Sequence, residues 1–258
     1  MIYEVSSLSF SYREGQTVLN DISFGLREGE IVTILGRNGV GKSTLLGCLL
    51  GSLRPREGSI LLCGAPLSAM NERQIARSVG FVPQTENTIF DFSVLDYVMM
   101  GCACELGLFE RPGKKERAAA DIALEELGIA PLRDRSFTEL SGGEQQQVMI
   151  ARAIVRKPRA ILLDEPTSHL DVPNQIKVLR MIRSLTDHGY AVMFTTHNPD
   201  HALMLGGSAV LFDADGSIRS GAVSEVVTEE NLQSVYGSDL RLIYSESVGR
   251  TVCLCPGL

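Results

Sequence analysis

The segment from Gly36 to Thr44 has the residue types that bind a phosphate chain. It reads Gly-Arg-Asn-Gly-Val-Gly-Lys-Ser-Thr and fits the pattern G-x-x-x-x-G-K-[ST] in full. Glycines let backbone N–H groups approach phosphate oxygens, Lys42 would place its ammonium near the β- and γ-phosphates, and the Ser43 hydroxyl could bind Mg²⁺. The segment therefore predicts a nucleoside triphosphate site, whose binding residues would be Gly36, Asn38, Gly39, Val40, Gly41, Lys42, Ser43 and Thr44.

Two acidic residues, Asp164 and Glu165, follow the apolar run Ala160–Leu163. Ligands collect beyond the carboxyl ends of parallel strands, so both acids should lie near the phosphates. Asp164 would then hold Mg²⁺ through water, and Glu165 would polarise the attacking water. Alone, such a pair could equally be a solvated strand end or a helix cap. Together with the phosphate loop, the pair indicates a hydrolytic site.

A second helix start with glycines occurs at Leu140–Glu144, which reads Leu-Ser-Gly-Gly-Glu. Ser141 and Glu144 have the spacing of a capping box, in which the two side chains satisfy the first N–H groups of a helix. A helix N-terminus that begins with glycines can also bind an anion. The chain therefore has two helix starts that are suited to phosphate.

The elements that must position these residues alternate between strands and helices. From residue 1 to about residue 30 apolar side chains recur every second residue, as at Leu8, Phe10 and Tyr12, which predicts a small antiparallel sheet. Longer apolar runs then alternate with helical patterns, which indicates a parallel α/β core. The later predicted strands are Ile31–Leu35, Ser59–Cys63, Ala160–Leu163, Ala191–Thr195, and the hairpin pair Ala209–Phe212 and Ser217–Ser220.

The middle third of the chain differs, because apolar residues between Ser93 and Val155 follow a helical spacing. A helical insertion is therefore expected to interrupt the core. From about Ser224 onward the pattern predicts only short helical and irregular pieces. The predicted helices are Thr44–Leu50, Val94–Met100, Arg117–Leu127, Glu144–Val155 and Gln175–His188.

Composition excludes several classes of protein. The 258 residues include 24 Lys and Arg against 31 Asp and Glu, a net charge of −7, and 44% are hydrophobic. The negative charge argues against a dedicated nucleic-acid binder, whose affinity would come from phosphate neutralisation. No apolar run approaches the ~18 residues that span a bilayer, and no signal peptide is visible. We expect a soluble, intracellular protein with no nucleic-acid partner.

Six cysteines are too sparse for a disulfide scaffold. Two pairs have the form Cys-x-Cys, Cys102 with Cys104 and Cys253 with Cys255. Four thiolates could hold zinc, but the usual Cys-x-x-Cys spacing is absent and no histidine lies close to either pair in the sequence. Ordinary thiols are the favoured interpretation.

Taken together, these motifs resemble those of an ATP-binding cassette (ABC) subunit, over nearly the whole chain to about residue 230. The resemblance implies a P-loop NTPase (RecA-like) fold with a parallel-sheet core, an N-terminal antiparallel β subdomain and an inserted helical subdomain. Residues 1–230 would form one ATPase domain, with its core at 1–84 and 156–223 and the helical insertion at about 85–155. Residues 224–258 would form a short extension packed on the core.

The resemblance also implies roles for single residues. Leu140–Glu144 is similar to the signature motif of the family, so Ser141, Gly142 and Gly143 would bind the γ-phosphate that Lys42 of a second copy holds. Glu144 stands where glutamine is commonest in the family, and His169 stands where alanine is commonest. Neither departure removes a group that contacts phosphate, so a competent site is expected.

Four further residues match family positions. Gln84 is similar to the Q-loop residue that senses Mg²⁺ and water, Asp171 belongs to a D-loop-like segment, His197 resembles the switch histidine, and Tyr12 resembles the aromatic that stacks on adenine. Each has a plainer alternative: Tyr12 could be core, His197 structural and Gln84 a turn residue. The resemblance implies the catalytic residues Lys42, Gln84, Glu165 and His197, and the Mg²⁺ ligands Ser43, Gln84 and Asp164.

The implied mechanism is closure of a head-to-tail dimer around two ATP molecules. Without a membrane span, transport would need a separate permease, docked on Thr85–Gly101 and on the strip formed by Cys102 and Cys104. The chain would then lie at the cytoplasmic face of the membrane, and an extracytoplasmic binding protein would deliver substrate to the permease.

The stretches Ser93–Gly101 and Leu106–Phe109 look like those of importers for iron–siderophore, haem, vitamin B12 and molybdate. A soluble cassette ATPase of iron–sulfur cluster assembly is the alternative. A plain P-loop kinase would explain Lys42 but not Leu140–Glu144 or His197.

Overall fold

The computed structural model describes residues 1–13, 15–85, 91–107 and 110–256. Within these ranges the strands form a six-stranded sheet, a four-stranded antiparallel sheet and a separate two-stranded hairpin. In the same ranges, no helix is both long enough and apolar enough to cross a bilayer.

The larger sheet has the strand order β10-β9-β3-β8-β7-β6, in which β10 alone runs antiparallel to its neighbour. Strands β3, β7 and β8 are buried at every position, as expected for parallel strands that are covered on both faces. The strands are β3 (Ile31–Leu35), β6 (Val79–Val82), β7 (Ala160–Leu163), β8 (Ala191–Thr196), β9 (Ser208–Phe212) and β10 (Ile218–Ala222).

The register of this sheet brings three strand ends to one edge. Leu35 of β3 pairs with Thr196 of β8, and Leu163 of β7 pairs with Phe194 of the same strand. The residues that follow these strands therefore emerge side by side, at the edge where parallel sheets bind ligands. The predicted parallel α/β core is confirmed.

The smaller sheet has the order β2-β1-β4-β5. The period-two pattern predicts β1 and β2, and β4 and β5, which come later in the chain than β3, complete the sheet. Leu8 and Phe10 are buried beneath it, whereas Tyr12 lies just beyond the end of β1 and is exposed. The strands are β1 (Tyr3–Ser11), β2 (Thr17–Leu26), β4 (Glu57–Leu62) and β5 (Ala65–Pro66).

Helices cover the large sheet and make up the middle of the chain, where the predicted helical insertion is confirmed. There Tyr97 stacks on Phe137 at a ring separation of 4.1 Å, inside a core that continues to Leu163 and Phe194 of the sheet. The helices are α1 (Lys42–Leu49), α2 (Glu72–Ser78), α3 (Val94–Met99), α4 (Lys114–Glu126), α5 (Gly142–Ile154), α6 (Val172–Asp187), α7 (Pro199–Leu205), α8 (Val223–Val226) and α9 (Glu229–Tyr236).

The elements absent from the sequence prediction include α2, β6 and α7. Strand β6 has only four residues, one of which is Gly80, and pairs along one edge with β7. Helices α2 and α7 have seven residues each, too few to display a periodic apolar face. Both helices nevertheless have local start signals, a capping box of Asn71 and Gln74 in α2 and the Asn198 cap followed by Pro199 in α7.

The prediction for the chain after Ser224 is wrong in one respect. Helices α8 and α9 are short, as expected, but they are followed by an antiparallel hairpin of β11 (Arg241–Ser245) and β12 (Arg250–Leu254). The turn between the strands contains Gly249 in the left-handed region. Four of the ten strand positions are polar, which obscures the strand pattern in the sequence, and contacts with α7 and α9 hold the hairpin in place.

The predicted docking strip also needs correction. Cys102 is only 2% exposed and belongs to the helical core, so it is not available at the surface. Cys104 is half-buried. Part of the predicted permease-facing and importer-like segments, residues 86–90 and 108–109, lies outside the described residues.

Gly80 allows β6 to approach helix α5 closely. A Cβ atom at this position would lie 2.3 Å from the carbonyl oxygen of Ala153. Gly80→Ala should therefore lower the free energy of unfolding by about 1–3 kcal/mol, the usual cost of overpacking. Gly113→Ala is the control, because its added Cβ would meet nothing closer than 3.6 Å. Urea unfolding that gives equal losses for both variants would contradict this packing.

Candidate nucleotide site

The predicted phosphate loop connects the end of β3 to the start of α1. Gly41 caps this helix with a φ of +119°, a conformation that side chains rarely adopt, and a Cβ there would lie 3.1 Å from Val18. The Lys42 ammonium folds back over the loop and donates hydrogen bonds to the carbonyl oxygens of Gly36 (3.0 Å) and Arg37 (3.2 Å). The loop therefore holds a cation beside the first N–H groups of a helix, which is an arrangement suited to phosphate.

Glu165, which follows β7, supplies the counter-ion. Its Oε1 lies 3.1 Å from Lys42 Nζ, and the two side chains are only 13% and 5% exposed. Because little water reaches this pair, the attraction between the charges is screened less than at an open surface. A phosphate that entered the loop would compete with Glu165 for the same ammonium.

His197, which follows β8, contacts the other oxygen of the same carboxylate. Its Nδ1 lies 3.2 Å from Glu165 Oε2, while the ring remains 53% exposed. The Glu165 carboxylate thus lies between a lysine and a histidine. The structure brings together three predicted residues that are far apart in the sequence.

Thr195 is a site residue that sequence reasoning missed. Its buried hydroxyl accepts a hydrogen bond from the Glu165 N–H at 2.7 Å and donates one to Asp164 Oδ1 at 2.6 Å. Glu165 has a φ of +44°, in the left-handed region that is unfavourable for a glutamate. Thr195 therefore holds the Asp164 carboxylate and the backbone of Glu165 in place. The signal available in the sequence was the pair of threonines that ends the otherwise apolar strand β8.

A cavity of about 450 Å³ opens at this edge of the sheet. Gly36, Val40, Asp164 and His197 do not line the cavity, but they belong to the same loop or adjoin Glu165. Ser43, Gln84 and Asp164 bring oxygen donors, the kind of ligand that Mg²⁺ prefers. The lining residues are Tyr12, Val18, Asn38, Gly39, Gly41, Lys42, Ser43, Thr44, Gln84 and Glu165.

Tyr12 stands at the rim of this cavity and is 62% exposed, so the alternative that it is a core residue is wrong. Its hydroxyl lies 3.1 Å from Thr44 Oγ1, and its ring meets Phe10 edge to face at 4.9 Å. An exposed aromatic ring beside a phosphate loop is suited to stacking on a nucleobase.

Ser141 and Glu144 form the predicted capping box at the start of α5. Glu144 Oε2 accepts hydrogen bonds from the Ser141 backbone N–H (2.9 Å) and hydroxyl (2.7 Å), and Arg135 pairs with Oε1 at 3.1 Å. The Ser141 hydrogen bonds, followed by the charge of Arg135, lower the pKa of Glu144. The capping role is therefore confirmed.

The start of α5 packs against the start of α6. The backbone at Gly143 lies so close to Asn174 that a Cβ would be 2.5 Å from its side chain, and Asp171 caps α6 by accepting from the Asn174 N–H at 3.1 Å. This second cluster contains the other predicted binding residues, none of which lines the 450 Å³ cavity: Ser141, Gly142, Gly143 and Asp171.

The two Cys-x-Cys pairs and His201 do not line this cavity. Within residues 1–13, 15–85, 91–107 and 110–256, no three His, Cys, Asp or Glu side chains cluster so as to hold a metal ion, the two Cys-x-Cys pairs included. Burial lowers the pKa of His201 to about 4, so this histidine is neutral and contacts Thr196 Oγ1 at 3.0 Å. His201 therefore has a structural role behind the site.

Known proteins share this combination of motifs. Residues 19–168 match the family model described as ABC transporter. An uncharacterised ABC transporter ATP-binding protein of Haemophilus influenzae is 41% identical over 95% of this chain and 92% of its own length. The molybdate import ATP-binding protein MolC of the same organism is 37% identical over 90% of this chain and 87% of its own.

A solved structure agrees with these sequence matches. It is assigned to the metal-chelate type of ABC transporter in an inward-facing conformation, and it is 33% identical to this chain. The match covers 99% of this chain and 98% of the other, with a TM-score of 0.88. The chain therefore belongs to the ABC transporter family, as an ATP-binding cassette.

Proposed function

We propose that the chain hydrolyses ATP with Mg²⁺ and thereby powers an importer of metal chelates or related substrates. The observation that carries this proposal is the Glu165 carboxylate, which lies 3.1 Å from Lys42 and 3.2 Å from His197 at the phosphate loop. One anion between two groups that can contact a γ-phosphate is suited to polarising water for in-line attack.

The nucleotide is proposed to lie in the 450 Å³ cavity. The base stacks on Tyr12, and the backbone N–H groups of the loop from Gly36 to Thr44, with Asn38 beside them, bind the phosphate oxygens. Lys42 exchanges its contact with Glu165 for one with the β- and γ-phosphates. Support comes from the 62% exposure of Tyr12 and from the position of Lys42 beside the helix start.

Ser43, Gln84 and Asp164 are the proposed Mg²⁺ ligands, directly or through water. Their hydroxyl, amide and carboxylate oxygens are hard donors that fit this ion. When bound, Mg²⁺ neutralises charge on the β- and γ-phosphate oxygens. Thr195 donates its hydrogen bond to Oδ1 of Asp164, so we assign Oδ2 to the metal.

Glu165 and His197 act on the γ-phosphate side. Once phosphate takes the Lys42 ammonium, Glu165 Oε1 is released to accept a hydrogen bond from the attacking water. His197, whose ring is 53% exposed, contacts the γ-phosphate. Gln84, on the rim of the cavity, orients the same water and the metal shell.

The second cluster requires a second copy of the chain. Ser141, Gly142, Gly143 and Asp171 do not line the cavity, so they are proposed to close the site of a partner subunit in a head-to-tail dimer. The Ser141 hydroxyl would then leave Glu144 for the γ-phosphate. In this proposal residues 1–230 form one ATPase domain, interrupted by the helical insertion at about 85–155.

Import is supported by relatives whose names specify molybdate import and a metal-chelate type of transporter. ATP-binding subunits of importers work with permease components, so we place this chain at the cytoplasmic face of the membrane, held by a permease. An extracytoplasmic binding protein would act through that permease. The iron–sulfur assembly alternative is not favoured by these relatives.

Glu165→Gln should abolish most hydrolysis and spare ATP binding. The amide keeps the shape of the side chain but cannot accept a proton, so kcat should fall about 10²- to 10⁴-fold. ATP affinity should be unchanged or higher, because the competing charge beside Lys42 is gone. Phosphate release and calorimetric binding measure the two effects. Glu57→Gln, an exposed glutamate, is the control, and hydrolysis equal to that of the control would refute the role of Glu165.

Two inactive variants should complement each other in a dimer. Lys42→Ala removes the phosphate loop cation and Ser141→Arg blocks the second cluster, but a mixed dimer keeps one intact site. Random mixing should restore about a quarter of the wild-type rate, because about half of the dimers are mixed and each has one of two sites. Lys42→Ala mixed with Glu165→Gln is the control, since both changes damage the same half of a site. Absence of recovery in the first mixture would contradict the shared site.

Co-purification tests the importer proposal. A tagged chain, extracted gently from native membranes, should bring down a polytopic permease at equal stoichiometry, and a binding protein encoded beside it would identify the substrate. Untagged cells provide the background. Recovery from the soluble fraction alone, together with cluster-assembly proteins, would reject transport and favour the alternative.

A further inference from the structure

The C-terminal part of the chain reaches back to the nucleotide site through helix α9. Thr228 caps the start of the helix, because its hydroxyl accepts a hydrogen bond from the Asn231 N–H, and Gly237 ends the helix at a φ of +65°. Tyr236 is therefore the last residue of the helix. Its backbone position is fixed by a cap at each end of α9.

The Tyr236 hydroxyl connects two parts of the site. It donates a hydrogen bond to the carbonyl oxygen of His197 at 3.0 Å. The Gly36 backbone, at the start of the phosphate loop, lies near the same phenol. Burial raises the pKa of Tyr236 and the nearby Cys253 raises it further, whereas the Gly36 backbone lowers it, so the phenol remains a donor at neutral pH.

A second contact holds the segment that follows His197, at Asp200, three residues further along the chain. Arg250 of β12 forms two hydrogen bonds of 2.7 Å with the Asp200 carboxylate, in the first turn of α7. The Cys253 N–H adds a hydrogen bond of 3.3 Å to the same carboxylate. Planar, bidentate pairs of this kind restrict orientation as well as distance.

The hairpin is in turn fixed to α9. The Leu242 N–H donates to Glu229 Oε1 at 2.7 Å, and Gln233 Nε2 donates to the Leu240 carbonyl oxygen at 2.9 Å. Apolar side chains of α7, α9 and the end of β3 share a buried cluster beneath these bonds, which includes Leu35, Ala202, Leu232 and Val235. The extension therefore forms one rigid unit with the segment that follows His197.

We propose that Tyr236 is a positioning residue for His197, and that the C-terminal extension sets the distance between the His197 loop and the phosphate loop. The His197 ring is 53% exposed and contacts Glu165. The position of the ring therefore depends on the position of the His197 backbone. Tyr236 provides that position by its 3.0 Å hydrogen bond to the His197 carbonyl oxygen, at a place beside the start of the phosphate loop. This inference rests on the proposed hydrolysis of ATP and adds a role for residues beyond the 19–168 match.

Tyr236→Phe, which removes one oxygen atom, tests the inference in the full-length chain. The kcat of ATP hydrolysis should fall about five- to tenfold, as for the loss of one hydrogen bond, while KM for ATP stays within about twofold. Amide hydrogen exchange in the peptide covering residues 196–202 should become faster. Tyr244→Phe is the matched control, because Tyr244 is 64% exposed on the outer hairpin.

Four outcomes separate the possibilities. A wild-type chain that hydrolyses no ATP would defeat the proposed function itself, whereas an active wild type combined with a Tyr236→Phe kcat equal to that of Tyr244→Phe would overturn this inference alone. A lower kcat without faster exchange at residues 196–202 would also overturn it, because the effect would then not pass through the His197 loop. Lower kcat, unchanged KM and faster local exchange together support it.

Discussion

Lys42 and Glu165 form a pair of opposite charges at 3.1 Å, in a place where water reaches little of either side chain. Each charge would be costly to bury alone, so the fold must bring both to one point. The same pair gives the site its chemistry. In the proposed mechanism, a phosphate that binds Lys42 replaces Glu165 as its partner, so nucleotide binding and the release of the water-activating carboxylate become one event.

Sheet register brings these groups together with little adjustment of single side chains. Strands β3, β7 and β8 end at the same edge, where Leu35 pairs with Thr196 and Leu163 with Phe194. The phosphate loop, the two acids and His197 follow these ends directly. Thr195 then refines the arrangement, since one hydroxyl binds both Asp164 and the backbone of Glu165.

Much of the site could be predicted because its chemistry is local in the sequence. The loop from Gly36 to Thr44, the acids after β7 and the capping box at Ser141 are each contained in a few adjacent residues. Thr195 and Tyr236 could not be found in this way, because their roles depend on partners about 30 to 40 residues away, Glu165 and His197. The hairpin β11–β12 was missed for the same reason, since contacts with other helices hold it in place.

The most direct test is a crystal structure of the chain with Mg²⁺ and a non-hydrolysable ATP analogue. We expect the phosphates to lie on the N–H groups of the loop from Gly36 to Thr44, with Lys42 Nζ on the β- and γ-phosphates. Glu165 Oε1 should then be more than about 4 Å from that ammonium, beyond the range of an ion pair. A nucleotide bound elsewhere, or a Lys42–Glu165 contact still at 3.1 Å beside bound phosphates, would contradict the exchange of partners.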